Sequence, residues 1–144
     1  SQKKNKPSAE RLKGYIRALE ENGLEVDEKK IFLKNFTIDT GYEGVKTLLK
    51  ETKIDGIFCG NDLIAIGAMQ ALKQNNLKVP EDVKVIGFDN ISVSKFTDPP
   101  LTTIKQPIYQ LGEEAVKMLI AIIDKKDIDM QKVLKTELIE RGSC

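Results

Sequence analysis

Short apolar runs alternate with helix-period stripes along almost the whole of this 144-residue chain, and that alternation restricts its fold more than any other feature. Leu12, Tyr15, Ile16 and Leu19 follow the i, i+3, i+4, i+7 spacing of an amphipathic helix, with Ser8 as its candidate N-cap and Gly23 as its candidate stop. Ile31 to Leu33 reads as a short strand ending near Asn35 and Phe36. Thr37 or Asp39 starts a second helix with Tyr42, Val45, Leu48 and Leu49 on one face, and Gly56 to Cys59 is a short buried strand. A third helix runs from Asn61 and Asp62 to about Asn75; its run Leu63, Ile64, Ala65, Ile66 leaves little room for a polar face, so burial on more than one side is expected. A turn at 79–82 leads to a strand from Val83 to Phe88, a loop with one helical turn over 91–100, and a strand from Leu101 to Gln106. Pro107 suits the first turn of a last long helix striped by Leu111, Ala115, Met118, Leu119 and Ile122, and Val133 to Leu138 is a terminal strand. Strands alternating with helices of this length form βα units and a mostly parallel sheet. The expected class is α/β, a three-layer Rossmann-like parallel sheet.

Such sheets bind ligands at the C-terminal ends of their strands. The residues that fall there are Asn35, Phe36, Asn61, Asp62, Asp89, Asn90 and Gln106. Carboxylates and carboxamides offer the acceptors and paired donor/acceptor groups that a polyhydroxylated ligand needs, and an aromatic ring covers the apolar face of a sugar or stacks on a base. Several other chemistries are excluded. The chain has no histidine, which removes Ser-His-Asp and Cys-His catalysis and His-based metal sites. Gly60-Asn61 is no phosphate loop, because the Gly-Lys-Ser/Thr ending is missing. Two cysteines make no disulfide framework and fit a reducing compartment; Cys59 reads as a small buried apolar residue. Lys+Arg of 23 against Asp+Glu of 22 gives no broad electrostatic reason to bind nucleic acid, and the basic start at Lys3, Lys4 and Lys6 reads as a solvated loop. No apolar run approaches the ~20 residues of a membrane span. No cofactor, no metal and no enzymatic activity are expected.

Six strings, in order and at matching spacing, resemble the lactose/galactose-repressor family: RLKGY at 11–15, NDLIAIGAMQAL at 61–72, VPEDVKVIGFD at 79–89, PPLTTIKQP at 99–107, LGEEA at 111–115 and ERGS at 140–143. The resemblance runs from about Pro7 to Ser143. It implies a periplasmic-binding-protein-like (type I) clamshell of two subdomains with an effector in the cleft, of which this chain holds the C-terminal one in incomplete form. Residues 1–106 are then the C-terminal effector-binding subdomain without its first strand, since residues 1–6 hold no β-branched or aromatic residue. Residues 107–144 are a helix and strand that return to the N-terminal subdomain. A helix-turn-helix DNA-binding head is implied for a full-length regulator and is not among these residues.

The resemblance further implies ligand contacts at Arg11, Phe36, Asn61, Asp89 and Gln106. Read by themselves, Arg11 is a solvated helix residue, Phe36 a core aromatic, Asp89 a capped loop residue and Gln106 a subdomain bridge. Asp62 is expected as a helix cap or as support behind the contacts, and Asn35 as a turn residue. A homodimer is implied, paired through Ile66, Met69, Leu72 and Phe96. The expected function is sensing of a sugar or related metabolite by a cytoplasmic transcription repressor that controls operator DNA allosterically. A periplasmic sugar-binding receptor of a transporter is the alternative.

Overall fold

Two glycines set the main helix packing. The computed structural model describes residues 6–127 and 129–144; the expectations of a basic loop at Lys3 and Lys4 and of a missing strand over 1–6 fall almost wholly outside it, while Lys6, expected in that loop, begins the first helix. Helix α1 covers Lys6–Glu21, α2 Ile38–Glu51 and α3 Asp62–Gln74. A Cβ on Gly41 of α2 would lie 1.9 Å from the Ile64 carbonyl oxygen, and one on Gly67 of α3 would lie 1.9 Å from that of Ile38. The two helices therefore cross backbone against backbone, at a separation open only to residues without side chains.

A four-stranded sheet lies beside them in the order β1 (Gly56–Phe58), β2 (Lys84–Asp89), β3 (Thr102–Lys105), β4 (Glu137–Ile139). The first three strands are parallel, and β4 runs antiparallel to β3. Helix α3 connects β1 to β2. A loop with a 3₁₀ turn at Ser92–Phe96 connects β2 to β3. The core forms where α2, α3 and the sheet meet: Val45, Ala65, Leu72, Val83, Val85 and Leu101 are almost wholly buried. Helix α3 buries Ala65, Gly67, Ala68, Met69, Ala71 and Leu72, which accounts for its apolar run. Met69 and Leu72 are thereby corrected from dimer contacts to core residues, at 7% and 0% exposure; Ile66 is half-buried and Phe96 is 75% exposed.

Three local readings change. Ser8 lies inside α1, not ahead of it, and its buried Oγ has no partner among the described residues. The helix does stop at Gly23, which takes φ +69°; the Leu24 and Gly23 N–H groups donate back to the carbonyls of Leu19 and Glu20 at 2.9 and 3.0 Å. The strand expected at Ile31 to Leu33 does not form. A strand needs a ladder, and among the described residues β1 pairs with β2 alone. The open side of β1 faces instead a cavity of about 500 Å³ walled by α1, α2 and this extended segment. Tyr15 stacks on Phe58 across it, with ring centroids 6.3 Å apart.

Helix α4 (Ile108–Ile123) buries none of its residues, and Leu111, Leu119, Ile122 and Ile123 are exposed. The terminal strand, expected over 133–138 and expected to leave with that helix, forms at Glu137–Ile139 in the same sheet. The residues after it hold it there. Ser143 Oγ donates to the Val85 carbonyl at 2.6 Å and accepts the Thr102 N–H at 2.8 Å, while its own carbonyl accepts the Val85 N–H at 2.8 Å.

Candidate functional site

Parallel strands aim their C-terminal ends the same way, so the residues after β1, β2 and β3 share one rim. Asp89 closes β2, Gln106 follows β3, and Gly60-Asn61 follows β1. Arg11 reaches this rim from α1. Its Nη1 donates to the Gly60 carbonyl at 2.6 Å, and its Nη2 meets Asp89 Oδ1 at 3.4 Å. Gln106 Nε2 donates to the same Oδ1 at 2.6 Å. Among the described residues Asp89 Oδ2 has no hydrogen-bond partner. The Arg11 guanidinium lies over the Phe88 ring at 3.9 Å, with the Phe36 ring 6.0 Å away. Such stacking is worth about 0.5–2 kcal/mol and fixes the plane of the guanidinium. Three of the five expected contact residues, Arg11, Asp89 and Gln106, thus converge directly, with Phe36 beside them.

Asn61, not Asp62, caps α3, the helix that follows β1: Asn61 Oδ1 accepts the Ile64 N–H at 2.9 Å. That leaves its Nδ2 to offer to a ligand. Of the two roles expected of Asp62, the cap falls to Asn61, and Asp62 lies buried behind it. Its Oδ1 accepts the Thr103 hydroxyl at 2.5 Å, and its Oδ2 accepts the Ile91 N–H at 2.8 Å. Burial raises the Asp62 carboxyl above the usual carboxylate value, and these two hydrogen bonds work against the rise. Asn35 is exposed, away from this cluster of contacts.

Phe88 escapes a reading of the sequence because the last apolar residue of a strand looks like core. The 500 Å³ cavity reaches Arg11 and Phe36, but its inner walls are Leu12, Tyr15, Phe32, Ile54 and Phe58. The candidate site is placed at the rim rather than in this cavity because the rim is where Arg11, Asp89 and Gln106 converge.

Cys59, at the end of β1, is chemically quiet. Burial, helped by the nearby Asp62 carboxylate, pushes its thiol up to about 12. Cys144, by contrast, is exposed. Iodoacetamide should therefore label one thiol per native chain and two in denaturant, and rapid native labelling of Cys59 by mass mapping would contradict this burial.

The model of the periplasmic binding protein-like domain matches residues 1–144. The chain is 42% identical over 137 residues to the HTH-type transcriptional regulator RegA of Clostridium saccharobutylicum, covering 93% of this chain and 41% of RegA. It is 41% identical over 135 residues to the HTH-type transcriptional repressor CytR of Escherichia coli K12, covering 92% and 40%. A solved sugar-binding transcriptional regulator of the LacI family from Escherichia coli, complexed with phosphate, superposes with a TM-score of 0.87 at 39% identity, covering 94% of this chain and 49% of that one. The chain spans about 40% of the length of these curated relatives and about half of the solved one.

Proposed function

The chain belongs to the periplasmic-binding-protein-like domain family, in the form carried by LacI-family transcription regulators, and on that premise we propose that it senses a neutral polyhydroxylated effector, a sugar or nucleoside-like metabolite, for such a regulator. One observation carries the reading: Asp89 is held from one side by Arg11 and Gln106 through Oδ1, which leaves Oδ2 open at the rim. Arg11 and Asp89 neutralise each other, so the site asks for a ligand that donates a hydroxyl to Oδ2 and needs no charge partner. Phe36 supplies an apolar face, and Asn61 a donor. The likeness to a sugar-binding regulator from Escherichia coli supports the same class.

The chain works in this reading by binding and not by catalysis. The effector binds two arrangements of the regulator unequally and shifts the balance between them. Operator DNA is contacted, in this reading, by a helix-turn-helix head of the longer regulator in the cytoplasm, and the HTH-type names of RegA and CytR support the head. The exposed apolar face of α4 is assigned to packing on the other half of the sensor. Melting-temperature shifts across pentoses, hexoses, disaccharides, purines and their phosphorylated forms test the assignment. A neutral ligand at 100 times its Kd should add about 2.7 kcal/mol. Response only to the phosphorylated members would overturn the neutral class, and no response at millimolar concentration would remove the sensor role.

Pairing of two regulator chains is assigned to the outer edge of α3 and the loop after β2, where Leu63, Val93 and Phe96 are exposed. Phe96→Asp should turn a sedimenting dimer into a monomer at tens of micromolar. A monomeric parent protein at that concentration would end this assignment.

A further inference from the structure

The backbone that carries Asp89 is unusual. Asp89 takes φ +106° and Asn90 φ +54°, two successive residues with side chains in the left-handed half of backbone space. Such a backbone persists only where its surroundings over-determine it. The surroundings here are a polar set of buried Asp62 and Thr103 and half-buried Arg141. Thr103, fully buried on β3, donates its hydroxyl to Asp62 Oδ1 at 2.5 Å and accepts the Asn90 N–H at 3.3 Å. Asp62 Oδ2 takes the next N–H, that of Ile91, at 2.8 Å. Arg141, just after β4, donates to Asn90 Oδ1 at 2.8 Å while its Nη1 is anchored on the Leu101 carbonyl at 2.7 Å. Gly87 leaves the space for this arrangement, since a Cβ there would lie 2.2 Å from Asp62 Oδ1.

We propose that Asp62, Thr103 and Arg141 are positioning residues, a brace that holds the Asp89-Asn90 turn left-handed and thereby keeps the Asp89 carboxylate against Arg11 and Gln106. Two successive backbone N–H groups and one side-chain oxygen of the turn are pinned from three elements: α3, β3 and the segment after β4. A turn pinned at Asn90 and Ile91 cannot relax into the extended backbone that would swing Asp89 off the rim. The brace matters for effector recognition insofar as Asp89 contacts the effector; its existence is testable without one.

The test uses the side-chain amide resonances of Gln106 in the effector-free chain, with Asp89→Ala marking their position when the hydrogen bond to Asp89 is lost. Thr103→Val keeps the shape and removes both hydrogen bonds, and should move the resonances most of the way to the Asp89→Ala position. Thr103→Ser keeps the hydroxyl and should hold them near the parent position. Core methyl resonances of Val45 and Leu72 report that the fold is intact. Asn90→Ala, which only releases Arg141 and the turn, serves as a second variant should Thr103→Val not fold, and is expected to shift Gln106 in the same direction. Folded Thr103→Val or Asn90→Ala chains with Gln106 unmoved would overturn the brace. Because no effector is present, failure of the sensor assignment would leave this result standing, and failure of the brace would leave effector titrations standing.

Discussion

Gly67→Ala is expected to destabilise the chain by about 3 kcal/mol, although alanine is the better helix former by ~1 kcal/mol. The added methyl would lie 1.9 Å from the Ile38 carbonyl oxygen and 3.0 Å from the Tyr42 nitrogen, both backbone atoms of α2 that no side-chain rotation can move aside. The helices must separate, and separation opens the layer that holds Val45, Ala68 and Leu72. Gly41→Ala should do the same from the other side, where the obstacle is the Ile64 carbonyl oxygen at 1.9 Å. Gly14 in α1 is the control, because nothing lies within 4 Å of its missing Cβ. There the propensity difference acts alone, and Gly14→Ala should stabilise by up to ~1 kcal/mol. One substitution with opposite signs at two helix-interior glycines is a sharp expectation. Urea unfolding of the three variants measures it, and a Gly67→Ala midpoint at or above that of the parent would show that the α2–α3 crossing has room for a side chain.

Asp89→Ala is expected to weaken effector binding on the order of 10- to 100-fold, more than any other single change at the rim. Hydrogen bonds to a charged group are worth roughly 1.5–3 kcal/mol, and deletion also leaves Arg11 Nη2 and Gln106 Nε2 without their shared acceptor. Asp89→Gly separates the carboxylate from the backbone. With φ at +106° a glycine relieves strain, so this variant should lose the same affinity while melting no lower than Asp89→Ala. Calorimetry with whichever panel sugar stabilises the parent decides: an unchanged Kd in either variant takes Asp89 out of the site.

The parts of this fold that are legible in the sequence are those whose cause is local. The apolar run of α3, the Thr37 cap of α2 and the stop at Gly23 each depend on neighbours within a few residues, and each forms. The segment Ile31 to Leu33 has the composition of a strand, but a strand also requires a partner that its own residues do not record. Asn61 and Asp62 are equally good caps by type; which one caps α3 is decided by Thr103 and the Ile91 N–H, 41 and 29 residues from Asp62. Likewise, Met69 and Leu72 read outward in the sequence because a helix apolar all round does not reveal which side its own sheet covers. At the rim, Arg11, Asp89 and Gln106 can be named because they follow strands or match a motif. Phe88 and Arg141 cannot, since one looks like core and the other like a charged tail, and only the distances of 3.9 Å to Arg11 and 2.8 Å to Asn90 give them work.

The bare face of α4 also governs how the chain behaves as a colloid. Ile108, Leu111, Leu119, Ile120 and Ile123 stand in water along one helix, and a formal net charge of +1 at pH 7 gives copies almost no mutual repulsion. Such a molecule has the character of a surfactant with a globular head. Sulfate and phosphate buffers, which strengthen the drive to hide apolar surface, favour clustering through α4, and a buffer far from neutrality favours dispersion. The face of α4 that we assign to packing on the other half of a sensor is, on this chain alone, the surface that sets its solubility.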